Sequence, residues 1–474
     1  MSRQAKARQF AIPALFAATA AIPAALAWAE PPTGDDVRQL LDEVRRQREE
    51  IRTLQAEVAT LRGMNDEQWL TERRAQEIRA LVSDVLNDAG TRESLLQGGM
   101  TAGWDENFFM SSADGRFLLK IDGQMQFRWL FNHTNDPDRW RQGFENTRTK
   151  LTFRGHVFNP DLTYLVRMDV TRNEPELVTG LFFLQDAWVR WQMNNDWSIR
   201  AGQFKAPFNR EELVSSAYQL AVERTVLNES LNLGRTQGVE MAFAGEHFRF
   251  SFVTGDGGTD SVGGFGLIEP GGKAINTNAL LADVEFAVHG RGEWKLAGAW
   301  DQFSDFTSPI GEPFALMLGA AAFYQKGEHG EAAASRTEED WWGYTVDLSA
   351  EFGGANLYAA WIEHRIETPT FDVKGYGFVV QGGVYITPKW EVFGRYEWGK
   401  LTTNLADTFF DTLSIITAGV NYYIDGHDAK LTVDVGYSMR EIDSAWDTDI
   451  AGWRTDAAGS EGQYVVRVQL QLLF

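Results

Sequence analysis

Cysteine is absent from the 474 residues, which excludes disulfide frameworks and thiolate-ligated metal sites. Beyond the N-terminal segment, no stretch approaches the run of about eighteen apolar residues that a membrane helix requires. Histidine is scarce: His133, His156, His247, His289, His329, His364 and His427 form no spaced cluster, and most fall where strands end or turn. A hydrolase needs a serine or an acid–base group beside a positioned histidine, so no catalytic function is expected. No glycine-rich motif lies between a strand and a helix, and "GDGGTD" at 255–260 lacks the ligand series of a calcium loop. Neither a cofactor nor a metal nor a nucleic-acid partner is expected. Positive charge is also in deficit: the formal net charge is −22, and residues 101–474 hold 51 Asp plus Glu against 31 Lys plus Arg. The acids gather in polar segments such as "EHGEAAASRTEED", where without a fixed ligand spacing they read as a solvated surface.

Glycine and aromatic residues are plentiful, with 45 Gly, 31 Phe and 17 Trp, which favours one large β-architecture over several small domains. The first 29 residues read as a secretory signal peptide: a basic "MSRQAKAR", an alanine-rich apolar core broken by Pro13 and Pro23, and a small-x-small site ending "AWA". Residues 35–97 read as a helical stalk. Val37, Leu40, Val44, Gln47, Ile51, Leu54, Val58 and Leu61 occupy successive a and d positions of a short coiled coil, and a second amphipathic helix carries Ile78, Leu81, Val82, Val85 and Leu86. Residues 98–115 have no strong period and are expected to be a linker.

From residue 116 the period becomes two. "RFLLKIDGQMQFRWLF" sets Phe117, Leu119, Ile121, Gly123, Met125, Phe127, Trp129 and Phe131 against Lys120, Asp122, Gln124, Gln126 and Arg128, and the strand ending in "RVQLQLLF" sets Tyr464, Val466, Val468, Leu470 and Leu472 against Arg467, Gln469, Gln471 and Leu473. Such ladders of roughly ten residues match a tilted transmembrane strand. Tight turns at "FNPD", "NNDW", "AGEH", "HGRG", "FGGAN", "TPKW" and "IDGHD" alternate with longer polar segments near 132–145, 255–278, 302–340 and 441–461. Alternating short and long connections are those of an outer-membrane barrel with periplasmic turns and external loops. The expected fold is therefore an all-β transmembrane barrel of about sixteen antiparallel strands over residues 116–474, preceded by a short α-helical coiled coil. Its apolar ladders face lipid, because in hydrocarbon only a closed sheet or a helix pairs every backbone group. At that strand number the interior is too wide for side chains to fill, so a water-filled channel follows.

Alternation directs Lys120, Arg128, Arg148, Lys150, Arg154, Arg167 and Arg190 into the lumen. Two readings stand side by side. A row of fixed cations would favour passage of anions, or the same cations pair with inward carboxylates such as Asp122, Asp169 and Asp186 to keep a polar wall hydrated. The long segment 207–238, with Arg210, Glu211, Glu212, Glu223 and Arg224, interrupts the strand rhythm, shows helical spacing from Glu211 to Arg224, and is expected to fold into the lumen as a constriction.

The stretches "FENTRTKLTFRGHVFNPDLTYLVRMDV" and "LQDAWVRWQMNNDWSIRAGQFKAPFNREELVSSAYQLAVERTVLNESL", with the strand that ends on Phe474, resemble the phosphate-selective porins O and P and their outer-membrane relatives over residues 116–474. The resemblance implies a sixteen-stranded homotrimer whose third external loop, residues 207–234, narrows the pore. Members often carry an adjacent arginine pair on an early strand, whereas here Thr149 separates Arg148 from Lys150. The expected function is an outer-membrane porin for passive diffusion of small hydrophilic solutes, anions such as phosphate foremost, in a Gram-negative-type bacterium. The stalk is expected in the periplasm, where it could contact the cell wall. A structural protein tethering the membrane to that wall through the coiled coil is the alternative.

Overall fold

The computed structural model describes residues 46, 49, 51–53, 100–105, 107–135, 138–170, 182–258, 284–329, 337–405, 412–446, 450–454, 460 and 462–474. The expected signal peptide and nearly all of the expected stalk lie outside these; residues 46, 49 and 51–53 are helical and exposed.

A hairpin, β1 (Met100–Asp105) and β2 (Asn107–Ser112), occupies the segment expected to be a linker. Sixteen barrel strands follow: β3 (Phe117–Thr134), β4 (Arg139–Val157), β5 (Leu162–Val170), β6 (Phe182–Gln192), β7 (Trp197–Lys205), β8 (Arg235–Ala244), β9 (Phe248–Gly255), β10 (Val284–Ala297), β11 (Ala315–His329), β12 (Thr337–Glu351), β13 (Ala355–Glu367), β14 (Asp372–Thr387), β15 (Trp390–Thr403), β16 (Leu413–Asp425), β17 (Ala429–Ser438) and β18 (Tyr464–Leu473). Each pairs antiparallel with its sequence neighbour, and β18 pairs with β3 from Tyr464↔His133 to Leu473↔Gln124, which closes the ring. At the same edge of β3 but nearer its start, β2 takes over the pairing, with Phe108 opposite Ile121.

Burial along these strands is the inverse of a soluble protein. On β3 the apolar Phe127 is 43 % exposed while its neighbour Arg128 is 0 %, and on β18 Leu470 is 50 % exposed while Gln471 is 1 %. The apolar ladder therefore coats the outside, where acyl chains solvate it, and polar side chains line the inside. Aromatic residues gather at both strand ends, as in Phe131–Trp140 and Phe131–Tyr464 at one and Phe248–Trp294, Trp390–Tyr422 and Phe314–Phe352 at the other. Such girdles mark the two membrane interfaces.

Three expected connections are corrected. "HGRG" is the middle of β10 and not a turn: Arg291 points inward between Gly290 and Gly292 and pairs with Asp347 at 2.8 Å. A Cβ at the neighbouring Gly319 would lie 2.4 Å from the Arg291 guanidinium, so glycine here makes room for a charge and does not bend the chain. The segment 132–145 is mostly strand, since β3 runs to Thr134 and β4 begins at Arg139. The segment 302–340 contains all of β11, and the connection before it, 298–314, joins β10 to β11 at the periplasmic end, where β3 starts and β18 finishes. That connection buries Trp300, Phe303 and Phe306.

Candidate functional site

Between β7 and β8, residues 206–234 fold into the barrel, and almost every one of them is buried. The helical spacing from Glu211 to Arg224 does not become one helix. The segment forms α1 (Arg210–Leu213), a 3-10 turn at Ser216–Tyr218 and α2 (Val226–Leu231), with extended chain between. Pieces this short gain little from helix propensity; contacts with the wall decide their shape. Ser215 and Thr225 cap the second and third pieces through their side chains.

The loop is fastened around most of the ring. Gln126 of β3 donates to Ser216 O at 3.0 Å, Gln471 of β18 to Ala217 O at 3.0 Å, Lys430 of β17 to Gln219 O at 2.9 Å, and Asn421 of β16 to Leu220 O at 2.9 Å. On β15, Arg395 donates to Glu223 O at 2.7 Å, and Glu397 accepts from Leu227 N at 2.9 Å. Arg291 of β10 donates to Phe208 O at 2.9 Å. Apolar anchoring complements these bonds. Phe208, Val226, Leu227, Leu231 and Leu233 pack with Phe323, Trp341, Ile362, Leu401 and Trp446, while Val214, Leu220 and Ala221 pack with Tyr358, Val379, Phe393 and the Phe306 of the periplasmic connection.

The structure places the expected constriction residues as follows. Arg210 donates from Nε to Ser349 Oγ and from Nη2 to Phe303 O, each at 2.8 Å, and so joins the external loop to the periplasmic connection. Glu211 turns back into its own loop and accepts from Thr225 N at 2.8 Å and Thr225 Oγ1 at 2.7 Å. Glu212 lies 3.1 Å from Lys205 Nζ and 3.3 Å from Arg224 Nε. Burial pushes its carboxyl up, but Arg224 and Lys205 outweigh that and hold it down at about 2. Glu223 takes Arg148 in a two-pronged pair, 2.7 Å from Nη2 and 2.9 Å from Nη1, and also accepts from Arg128. Arg224 donates to Glu211 O and Val214 O, each at 2.9 Å.

Of the seven expected pore-lining cations, six lie against a carboxylate. Arg128 meets Glu145 and Glu223, Arg148 meets Glu223, Arg154 meets Asp122 at 2.6 Å, and Arg167 meets Asp186 at 3.3 Å. Lys150 is 3.9 Å from Asp169 and Lys120 is 3.9 Å from Asp105 of β1. On β3 and β4 the paired reading therefore describes the wall, and a bare basic row does not. Arg190 is different: its guanidinium lies 5.1 Å from the centre of the Trp188 ring.

Sequence reasoning missed the buried pairs Arg291–Asp347 and Arg467–Asp434, and missed Arg200 and Arg235. Alternation within "WSIRAGQFK" would have turned Arg200 inward, directly opposite Arg190. The pairs themselves had no sequence signal, because their partners lie on other strands. Among the described residues no group of His, Asp and Glu is arranged to hold a metal ion.

Glu229 of α2 offers a test of how the loop is held. Burial, reinforced by the neighbouring Glu212 carboxylate, pushes its carboxyl up to about 8. A folded-state value above the ordinary carboxylate range contributes stability that is complete below that range and is lost as pH rises through about 8. Conductance in planar bilayers is therefore expected to rise between pH 7 and pH 9 as the loop loosens, and Glu229→Gln is expected to remove that step.

Residues 119–266 match the family model described as phosphate-selective porin O and P. An uncharacterised protein of Aquifex aeolicus is 27 % identical over 271 residues, which is 54 % of this chain and 62 % of that relative. Among solved structures, an anion-selective porin from Comamonas acidovorans aligns with a TM-score of 0.50 at 14 % identity over 75 % of this chain and 99 % of its own. The outer-membrane channel DcaP of Acinetobacter baumannii aligns with a TM-score of 0.49 at 12 % identity over 75 % and 97 %. Nearly all of β3, together with β4–β9 and the inward-folded loop, thus lies inside the segment that is similar to the phosphate-selective porins O and P, and β10–β18 complete the closed sixteen-strand barrel.

Proposed function

We propose that the protein is an outer-membrane porin through which small hydrophilic solutes diffuse passively, anions such as phosphate foremost. The observation that carries the reading is a closed barrel whose inner wall is polar and arginine-rich and whose bore is crossed by a tethered loop. Small, hydrated solutes are selected by such a constriction through its charges and width, without a catalytic step. In this reading the working unit is a homotrimer, outer-membrane lipid surrounds the barrel, and residues 35–97 form a periplasmic stalk able to contact the cell wall.

Anion preference has to arise from the cations that are not fully offset, since most of those on β3 and β4 are paired where they stand. Reversal potentials across a planar bilayer in a salt gradient test it. Chloride is expected to outrun potassium, and a clear cation preference would overturn the reading. Neutralising Arg148 and Lys150 together is expected to lower the anion preference, because Glu223 and Asp169 would then face the lumen with less positive charge to offset them.

A further inference from the structure

The geometry points to an oxyanion-binding site made by Arg190 and Arg200, near the periplasmic mouth of the barrel. Arg190 on β6 and Arg200 on β7 are register partners on facing strands, three residue pairs or fewer from the turn that joins those strands. Both point into the lumen, because Val189 and Trp191 between and beside them face outward and are exposed. Like charges directly opposite on antiparallel strands repel, so the arrangement needs something to offset it.

Part of the offset is aromatic. The two guanidiniums share the Trp188 ring, with centroid distances of 5.1 Å and 5.6 Å, and Arg200 also lies 3.9 Å over Phe204. Ring faces hold a cation in place without neutralising it. Among the described residues, Glu240, 2.8 Å from Arg200 Nη2, is the carboxylate that forms an ion pair with either guanidinium, so two positive charges face one paired negative. Asp186, on the same face of β6, is taken by Arg167 at 3.3 Å and Arg235 at 3.0 Å. Among the described residues, the buried Nε–H groups of Arg190 and Arg200 find no acceptor. Unfilled guanidinium donors, a surplus positive charge and planar forks fixed by stacking make a receptor for an anion with two or more oxygens. Inorganic phosphate and a carboxylate share that chemistry. Arg128 and Arg148 converge on Glu223, whereas here Glu240 takes Arg200 and one positive charge is left in surplus for a solute.

The site rests on the anion-porin reading, and its test separates the two. Chloride current through the assembled protein in a planar bilayer is recorded while inorganic phosphate, or separately succinate, is added on the periplasmic side. Arg190→Gln and Arg200→Gln are each expected to raise the half-blocking concentration about tenfold, the loss of one charge-assisted contact. Glu240→Gln is expected to lower it. The phosphate and succinate arms tell which oxyanion the site prefers, and a shift with either one supports the site. Correct assembly is checked by the heat-dependent gel mobility of the barrel. Absence of block by both anions in the wild type, or an unchanged half-blocking concentration for both in the assembled double variant, would overturn the site. Cation preference in the wild type would sink the selectivity reading alone, since the block is read as a ratio of variant to wild type.

Discussion

Replacing Glu223 with alanine is expected to raise single-channel conductance severalfold and to strengthen anion preference at the same time. Glu223 is buried between Arg128 and Arg148, which it holds through three hydrogen bonds. Removing one partner of a buried, hydrogen-bonded ion pair costs about 3–5 kcal/mol, because the remaining charge stays buried without compensation. Arg148 would be stranded here, while Arg128 would keep Glu145 alone. The cheapest response is for the loop to leave its seat and admit water, since the strands that carry the two arginines are fixed by their ladders. The bore then widens and both cations face the solute. Single-channel recording with reversal potentials in the same membrane checks both parts. A variant with unchanged conductance would show that the loop does not depend on this pair.

Gly399→Leu is expected to raise conductance to a similar degree while leaving ion preference where it was. Gly399 of β15 is opposite Gly377 of β14, and the two glycines form the depression into which Leu227 of α2 fits. A Cβ at 399 would lie 2.9 Å from Leu227 Cδ1 and 2.8 Å from the Trp446 ring, so a larger side chain takes the space that the loop now fills. The atoms it would meet are side chains, and the strand can persist while α2 is displaced. Overfilling a packed site costs about 1–3 kcal/mol. No charge changes, so the permeability ratio should not move. Comparing this variant with Glu223→Ala separates the width of the passage from its electrostatics.

The barrel was legible in the sequence where burial follows a strict alternation. On β18, and on β3 from Met125 to Arg128, the inward and outward sets deduced from the sequence agree with the exposures, whereas Phe117–Asp122 are half-buried throughout and Gly123, expected to face outward, is buried against Phe474. The inward loop was legible from its length and from its break in the strand rhythm. Its internal form was not, because short helical pieces in a crowded lumen take their shape from the wall. Glycine misled in "HGRG", where Gly290 and Gly292 flank an inward arginine on a continuous strand. The fate of the basic row was also hidden. Arg148 meets Glu223 across 75 residues of sequence and Arg467 meets Asp434 across 33, separations at which alternation gives a direction but no partner. The side of the membrane reached by 298–314 depended on an uninterrupted strand count, which the misread β10 disturbed.

The seam between β3 and β18 governs how the molecule can be made. Gly123 and Phe474 exchange backbone hydrogen bonds, 2.5 Å from Gly123 N to Phe474 O and 3.1 Å in return, so the residue that follows β18 is stitched to the first half of the first barrel strand. Until those last residues have been synthesised, every assembly intermediate carries two raw sheet edges, and such edges recruit other chains. Export therefore has to deliver β3 to β18 unclosed and shielded, and insertion becomes a single late commitment that a chain lacking β18 cannot make.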